Sequence, residues 1–226
     1  MNGVTRRQWM AALTASPLVG AAAAYAASSH TSEAGAGCGV PARLTARERM
    51  KLKRLHNVPL ITHEGRQVHF YDDLIKDRKV AISFMYANCE GICVPTTRNL
   101  LQAQKLLDGR VGRDIFFCSI TLKPQEDTPE VLAKYAALYG VGPGWTFLTG
   151  DPVYIETLRR SLGFASPDPE EDRNVSNHIG LVRLVVEPAA RWGHTVALSS
   201  PEHIVRSIHF TFDSPTVRNV PTYVEG

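Results

Sequence analysis

Four short runs of apolar, β-branched and aromatic residues recur along the chain: Lys79–Tyr86, Asp114–Thr121, Trp145–Thr149 and Gly180–Val186. Each has the length of a buried strand, and the segments between the first three carry helical spacing. Leu100, Leu101, Ala103, Leu106 and Leu107 repeat with a helical period. Thr128 is placed to cap the next helix, Pro129 to occupy its first turn and Gly140 to stop it, with Val131, Tyr135 and Leu138 expected on its inner face. Asp151-Pro152 opens a further helix, whose Ile155, Leu158 and Leu162 point inward before Gly163 ends it. Strands separated by helices of about ten residues imply right-handed crossovers and parallel pairing at the centre of one sheet.

The flanks add smaller pieces. Thr45–His56 reads as a basic amphipathic helix with a solvated face, and His63-Glu64-Gly65-Arg66 as the turn of a short hairpin. Ser166–Asn177 is polar and acidic and contains prolines, the composition of a loop. Thr195–Leu198 is expected to pair with the run ending at Val186 through a turn near Glu187-Pro188, and Pro201-Glu202 starts a last helix through Ile208. The expectation is an α/β fold with a mixed central sheet flanked by helices and preceded by an N-terminal extension.

Residues 1–27 set the compartment. Arg6-Arg7 precedes the alanine-rich run Ala11–Ala27, and Ala24-Tyr25-Ala26 has the small-x-small pattern of a signal-peptidase site. The paired arginines read as a twin-arginine export signal, with a general secretory signal as the alternative. Both carry the protein across a membrane. An uncleaved anchor is the third reading, weakened by Thr14, Ser16, Pro17 and Gly20. Removal of the segment takes Arg6 and Arg7 and no acid from a chain with 25 basic and 22 acidic residues. Near-neutrality follows, and with it no case for nucleic acid. Residues 28–56 are linker and extension, 57–210 the expected folded domain, and 211–226 a C-terminal tail.

Only four cysteines are present. Cys38 lies in the linker, separated from the apolar run by the polar stretch Ser28–Glu33, which argues against lipid attachment. Cys118 falls inside the apolar run Ile115–Cys118 and is expected to be an inert core thiol. Cys89 and Cys93 remain as a pair, in Asn88-Cys89-Glu90-Gly91-Ile92-Cys93-Val94-Pro95. They sit between a strand and a helix expected to begin near Pro95–Thr97, where a crossover sheet gathers its chemistry. This is a thioredoxin-like arrangement. Helix N-terminal N–H groups favour thiolate, the form that attacks disulfides and binds metals. The pair therefore serves a staple, a redox couple or a metal site. A metal needs a third ligand, and His178, just before the last apolar run, is the best placed of the eight histidines.

Three blocks, "SFMYANCEGICVPTTRNL", "CSITLKPQEDTPEVLAKYA" and "NHIGLVRLVVEPAARW", together resemble the Sco/SenC family of thioredoxin-like copper proteins in order and spacing. The resemblance implies that Cys89, Cys93 and His178 bind copper, as Cu(I) or Cu(II), with Cys89 and Cys93 doubling as a redox-active pair able to form a disulfide bond. It implies a periplasmic metallochaperone, outside the cytoplasmic membrane or on its outer face, rather than a turnover enzyme. The expected partner is the copper-receiving subunit of cytochrome c oxidase or another periplasmic cuproprotein, in the maturation of the binuclear copper site. The alternative is a metal-independent periplasmic thiol-disulfide oxidoreductase.

The chain departs from the family pattern twice. Val94 stands where a proline usually follows the second cysteine, and Asn177 precedes His178 where many members carry aspartate. Glu170, Glu171 and Asp172 are the carboxylates that could substitute. Asp127 matches a family acidic position and reads first as part of a helix cap, second as a partner contact.

Overall fold

The computed structural model describes residues 44–89, 91–174 and 180–215. Its helices are α1 (Ala46–Arg54), α2 (Cys93–Leu106), α3 (Pro129–Tyr139), α4 (Pro152–Ser161), α5 (Pro169–Arg173) and α6 (Pro201–Asp213). The strands are β1 (Pro59–Thr62), β2 (Gln67–His69), β3 (Lys79–Met85), β4 (Ile115–Thr121), β5 (Trp145–Thr149), β6 (Leu181–Val186) and β7 (Arg191–Val196). All seven strands join one sheet in the order β2-β1-β5-β4-β3-β6-β7. The β5-β4-β3 centre is parallel, with Ile82 opposite Cys118 and Cys118 opposite Thr146. The β1-β2 hairpin and the β6-β7 pair close the two sides antiparallel. The sheet is mixed, as expected for this thioredoxin-like fold.

Strand periodicity divides the interior into two cores. Ala81 and Met85 of β3 face the layer of α2, α3 and α6, with Leu100, Leu132 and Ile208. Val80, Ile82 and Phe84 face the other layer, with Met50, Phe70, Ile155 and Leu158. Full burial of residues such as Phe84 and Ile82 contributes roughly 2 kcal/mol each.

Several elements follow the sequence closely. Thr128 accepts a hydrogen bond from the Val131 N–H at the start of α3, Pro129 lies in the first turn, and Gly140 ends the helix at φ 62°. The inner face of α3 differs from expectation. Leu132, Tyr135 and Ala136 are buried, whereas Leu138 is 78% exposed and Val131 only half-buried. The helix is rotated so that Tyr135 can reach α2, which a pattern of apolar residues on both sides does not specify. The stretch 166–174, read as loop, contains α5, a single helical turn capped by Asp168. A π-helical turn, Phe70–Ile75, follows the hairpin, and α6 runs on past Ile208 to Asp213.

α1 docks at the N-terminal end of β3. Arg47 donates from Nε and Nη2 to Glu187 at 2.6 and 2.7 Å, and from Nη2 to Asp77 at 2.5 Å. Glu187 is fully buried and also accepts from the Tyr71 hydroxyl at 2.8 Å and the Asp77 N–H at 2.9 Å. Every lone pair of this carboxylate that matters is used, which is what makes its burial tolerable. The arginine holds it below the usual carboxylate range, against the upward push of burial.

Candidate functional site

The C-terminal end of β3 leads through Tyr86, Ala87 and Asn88 to Cys89 and so to α2. The helix starts at Cys93, with Ile92 as its first flanking residue, rather than near Pro95–Thr97. Pro95 thereby falls in the first turn, where a missing N–H costs nothing, so the displaced proline is accommodated without delaying the helix. Both thiols are buried, Cys93 completely. Neither is in a disulfide, and neither is Cys118. Cys118 belongs to the opposite face of the sheet, in the core beneath α4, where burial pushes its thiol up to about 12.

The two thiols of the pair differ. Burial pushes Cys89 up, but it accepts hydrogen bonds from the Cys93 thiol, the Tyr86 side chain and the Cys93 and Gly91 N–H groups, and the balance lies below the ordinary thiol value. Burial pushes Cys93 up to about 12, reinforced by its role as donor to Cys89 and by the nearby charge of Asp127. Cys89 is thus the more acidic thiol and Cys93 its hydrogen-bond donor. Deprotonation of one sulfur opposes that of the other, so the pair titrates as a unit.

Three tethers fix α2 behind the pair. The Thr97 and Tyr135 hydroxyls lie 2.7 Å apart, which binds α2 to α3. Asn99 donates through Nδ2 to the carbonyls of Ala197 and Ser199 at 2.9 and 3.1 Å. Ala197 N–H in turn donates to the Gly180 carbonyl at 2.6 Å. Gly180 has φ 97°, a region only glycine enters freely, and a Cβ there would lie 3.5 Å from the Ile92 Cδ1. The strand entry at Gly180 is thus packed against the residue preceding Cys93.

Asp127 is the residue the sequence misassigned. Its carboxylate is buried, and the cap of α3 belongs to Thr128. It accepts from the Thr121 hydroxyl at 2.5 Å and from the Ala87 N–H at 3.1 Å. The end of β4, the turn before α3 and the entry to the cysteine loop therefore share one acceptor. Burial raises its pKa, partly offset by these two bonds. Nothing in "QED" marks the third residue as the buried one; that follows from where the turn folds. Lys123, 4.8 Å from the Tyr86 ring centroid, covers the aromatic residue that bonds Cys89.

His178 lies outside the described residues, as do Cys38 and Asn177. Asp172 is committed elsewhere: Arg159 donates to it through both terminal nitrogens, at 2.7 and 2.8 Å. Glu170 pairs with Arg173 and Glu171 accepts from Ser166. Among the described residues no three His, Cys, Asp or Glu side chains are grouped to hold a metal. Cys89 and Cys93 are brought together, with a strand entry two residues beyond His178 beside them.

Comparison with known proteins matches residues 53–212 to the SCO1/SenC family model. A SCO1 protein homolog from Bacillus subtilis (strain 168) is 38% identical over 68 residues, 30% of this chain and 35% of that protein. The match thus spans about a third of the length of the curated relative. Copper-bound yeast Sco1 superposes with a TM-score of 0.58 at 19% identity, covering 73% of this chain and 96% of that one. BsSco, a member of the Sco family of cytochrome c oxidase assembly proteins in which a disulfide switch was identified, gives 0.56 at 23% identity over 70% and 93%. Seven strands in this order, a cysteine pair at the start of α2 and a family match reaching from α1 into α6 agree, and the chain belongs to the SCO1/SenC family.

Proposed function

We propose that the protein is an exported copper metallochaperone in which Cys89, Cys93 and His178 hold one copper ion as cargo. The observation that carries this reading is the packing of Gly180 against Ile92. His178 precedes Gly180 by two residues in the sequence, which supports it as the third ligand of this reading. Two soft sulfurs suit Cu(I), and an added imidazole suits Cu(II). Three protein ligands leave a position open to an incoming ligand, so the ion passes to a partner by exchange without release into water. Copper bound to yeast Sco1 supports the cargo, and the assembly role of BsSco supports cytochrome c oxidase as destination. In this reading residues 1–27 direct export to the periplasm or the outer membrane face, and residues 57–210 carry the site.

A second reading is favoured by the asymmetry of the two thiols. A nucleophilic Cys89 beside a protonated Cys93 is the arrangement for reducing a target disulfide. The Cys89 thiolate attacks one target sulfur, displaces the other as thiolate, and Cys93 then resolves the mixed disulfide, leaving Cys89–Cys93 oxidised. Copper titration of reduced protein separates the two. The metallochaperone binds one Cu(II) per chain, and His178→Ala lowers Cu(II) retention far more than Cu(I) retention. Unchanged Cu(II) binding in that variant removes His178 from the site. Disulfide exchange that survives His178→Ala, in a protein that takes up no copper, establishes the reductase instead.

A further inference from the structure

The outer face of α1 has no use in the copper site, which lies at the other end of β3. Opposite the buried Met50 stands Leu52, 60% exposed, with Lys51 on one side of it and Arg49 and Lys53 on the other. Among the described residues none of these three cations has a carboxylate partner within ion-pair distance, and neither has Arg54. The acids nearby are all engaged. Glu48 accepts from the Thr45 N–H and hydroxyl, Asp77 and Glu187 take Arg47, and Asp72 accepts from Asn57. Beside the helix, Lys51, Lys76 and Arg47 border a cleft of about 360 Å³ around Tyr71. Lys51 lies 4.3 Å from that ring's centroid, so its ammonium is held at the rim rather than free in solvent.

An exposed leucine ringed by unpaired cations on a docked helix fits one surface chemistry, an apolar boundary covered by phosphate. We propose that α1 lays this face on the anionic headgroups of a lipid bilayer, with Leu52 entering the interface and Arg49, Lys51 and Lys53 meeting phosphates. Charge complementarity selects an anionic surface over a neutral one. In sequence, α1 is the first described element after the linker that follows the apolar run Ala11–Ala27. No described helix is long and apolar enough to cross a membrane, and the nine residues of α1, docked through Met50, offer only their outer face to a bilayer. Glu187 bonds Arg78 at the start of β3, and the cysteines follow its end, so the cysteine loop stands about 20 Å farther from the lipid at ~3.3 Å per strand residue. The inference is independent of the metal's identity.

The test is co-sedimentation of the full chain with vesicles of phosphatidylcholine, alone or mixed with a minor share of phosphatidylglycerol. The native protein partitions preferentially onto the anionic vesicles, and the preference falls as salt rises. Arg49→Gln/Lys51→Gln/Lys53→Gln removes the three cations and lowers partitioning onto anionic vesicles roughly a hundredfold, with thermal midpoint and copper uptake as in the parent. Leu52→Ser weakens binding to both vesicle types several-fold. Equal partitioning of the native chain onto the two vesicles overturns the proposal. So does a triple variant that keeps the anionic preference, since the charge then acts through Arg6, Arg7 or another patch.

Discussion

Cys89 accepts four hydrogen bonds, two of them from Cys93 through its thiol and its backbone N–H, so the thiol proton shared between the pair separates two otherwise similar sulfurs. Alkylation of the reduced protein with iodoacetamide near pH 8 therefore labels Cys89 before Cys93, at least about tenfold faster, because thiolate is the reacting form. Peptide mass spectrometry gives the ratio; equal labelling contradicts the assigned donor and acceptor. Asp127 yields a second test. In Asp127→Ala the Ala87 N–H and the Thr121 hydroxyl lose their acceptor inside the protein, at a cost of about 2 kcal/mol in chemical denaturation. Asp127→Asn keeps an acceptor oxygen and recovers most of that loss. A carboxylate serving only as a helix cap would show no such rescue, and Thr128→Ala would then be the silent change. With Thr128 as the cap, its replacement costs about 1 kcal/mol.

At the scale of elements, local signals were readable and tertiary ones were not. Thr128, Pro129 and Gly140 bound α3 because capping and left-handed φ are properties of single residues. Which face of α3 turns inward was not readable, since Val131 and Leu138 are as apolar as Leu132 and the hydroxyl of Thr97 decides for Tyr135. α5 escaped for a related reason. Its residues, Pro169 to Arg173, are polar throughout, and the turn is held from outside by Arg159, whose side chain is only 7% exposed. Arg159 also donates to the Phe164 carbonyl, and Asp172 accepts the Ser166 N–H, so one ion pair fastens the whole approach to the segment bearing His178. Arg159→Met removes the two shortest ion-pair contacts of Asp172, which keeps the Ser166 N–H and the longer Arg160 contact, at a cost of roughly 2 kcal/mol. Limited proteolysis then cuts the variant between Ser166 and Asn174 at protease levels that leave this stretch of the parent intact.

For the whole molecule, acid sensitivity follows from the other side of the sheet. Arg110 donates to Asp213 at 2.7 and 2.8 Å and to Asp114 at 2.7 and 3.1 Å, tying α6 to the start of β4, and Lys79 and His209 add to Asp213. The guanidinium holds both carboxylates below their unfolded values. Their contribution is thus complete above about pH 4 and lost as pH falls through the folded values. Arg110→Ala is less stable than the parent at neutral pH, and the difference shrinks below about pH 4; a gap that widens with acid would reverse the sign assigned here. The cysteine pair and the strand–helix junction were legible because the chemistry needs them close in sequence. Asp127, Tyr86 and Gly180 come to the same place from three separate segments, and only folding assembles them.

The sheet puts Cys118 on the far side from Cys89 and Cys93, and that has a bearing on recovery from oxidation. Among the described residues no third cysteine stands beside the pair to relay a disulfide onward. Once the pair has closed on itself, the two electrons that reopen it come from outside the described domain, as from a visiting dithiol. If the protein is the exported carrier proposed above, it stays idle between visits, and its working life is set by whichever reductant calls on it.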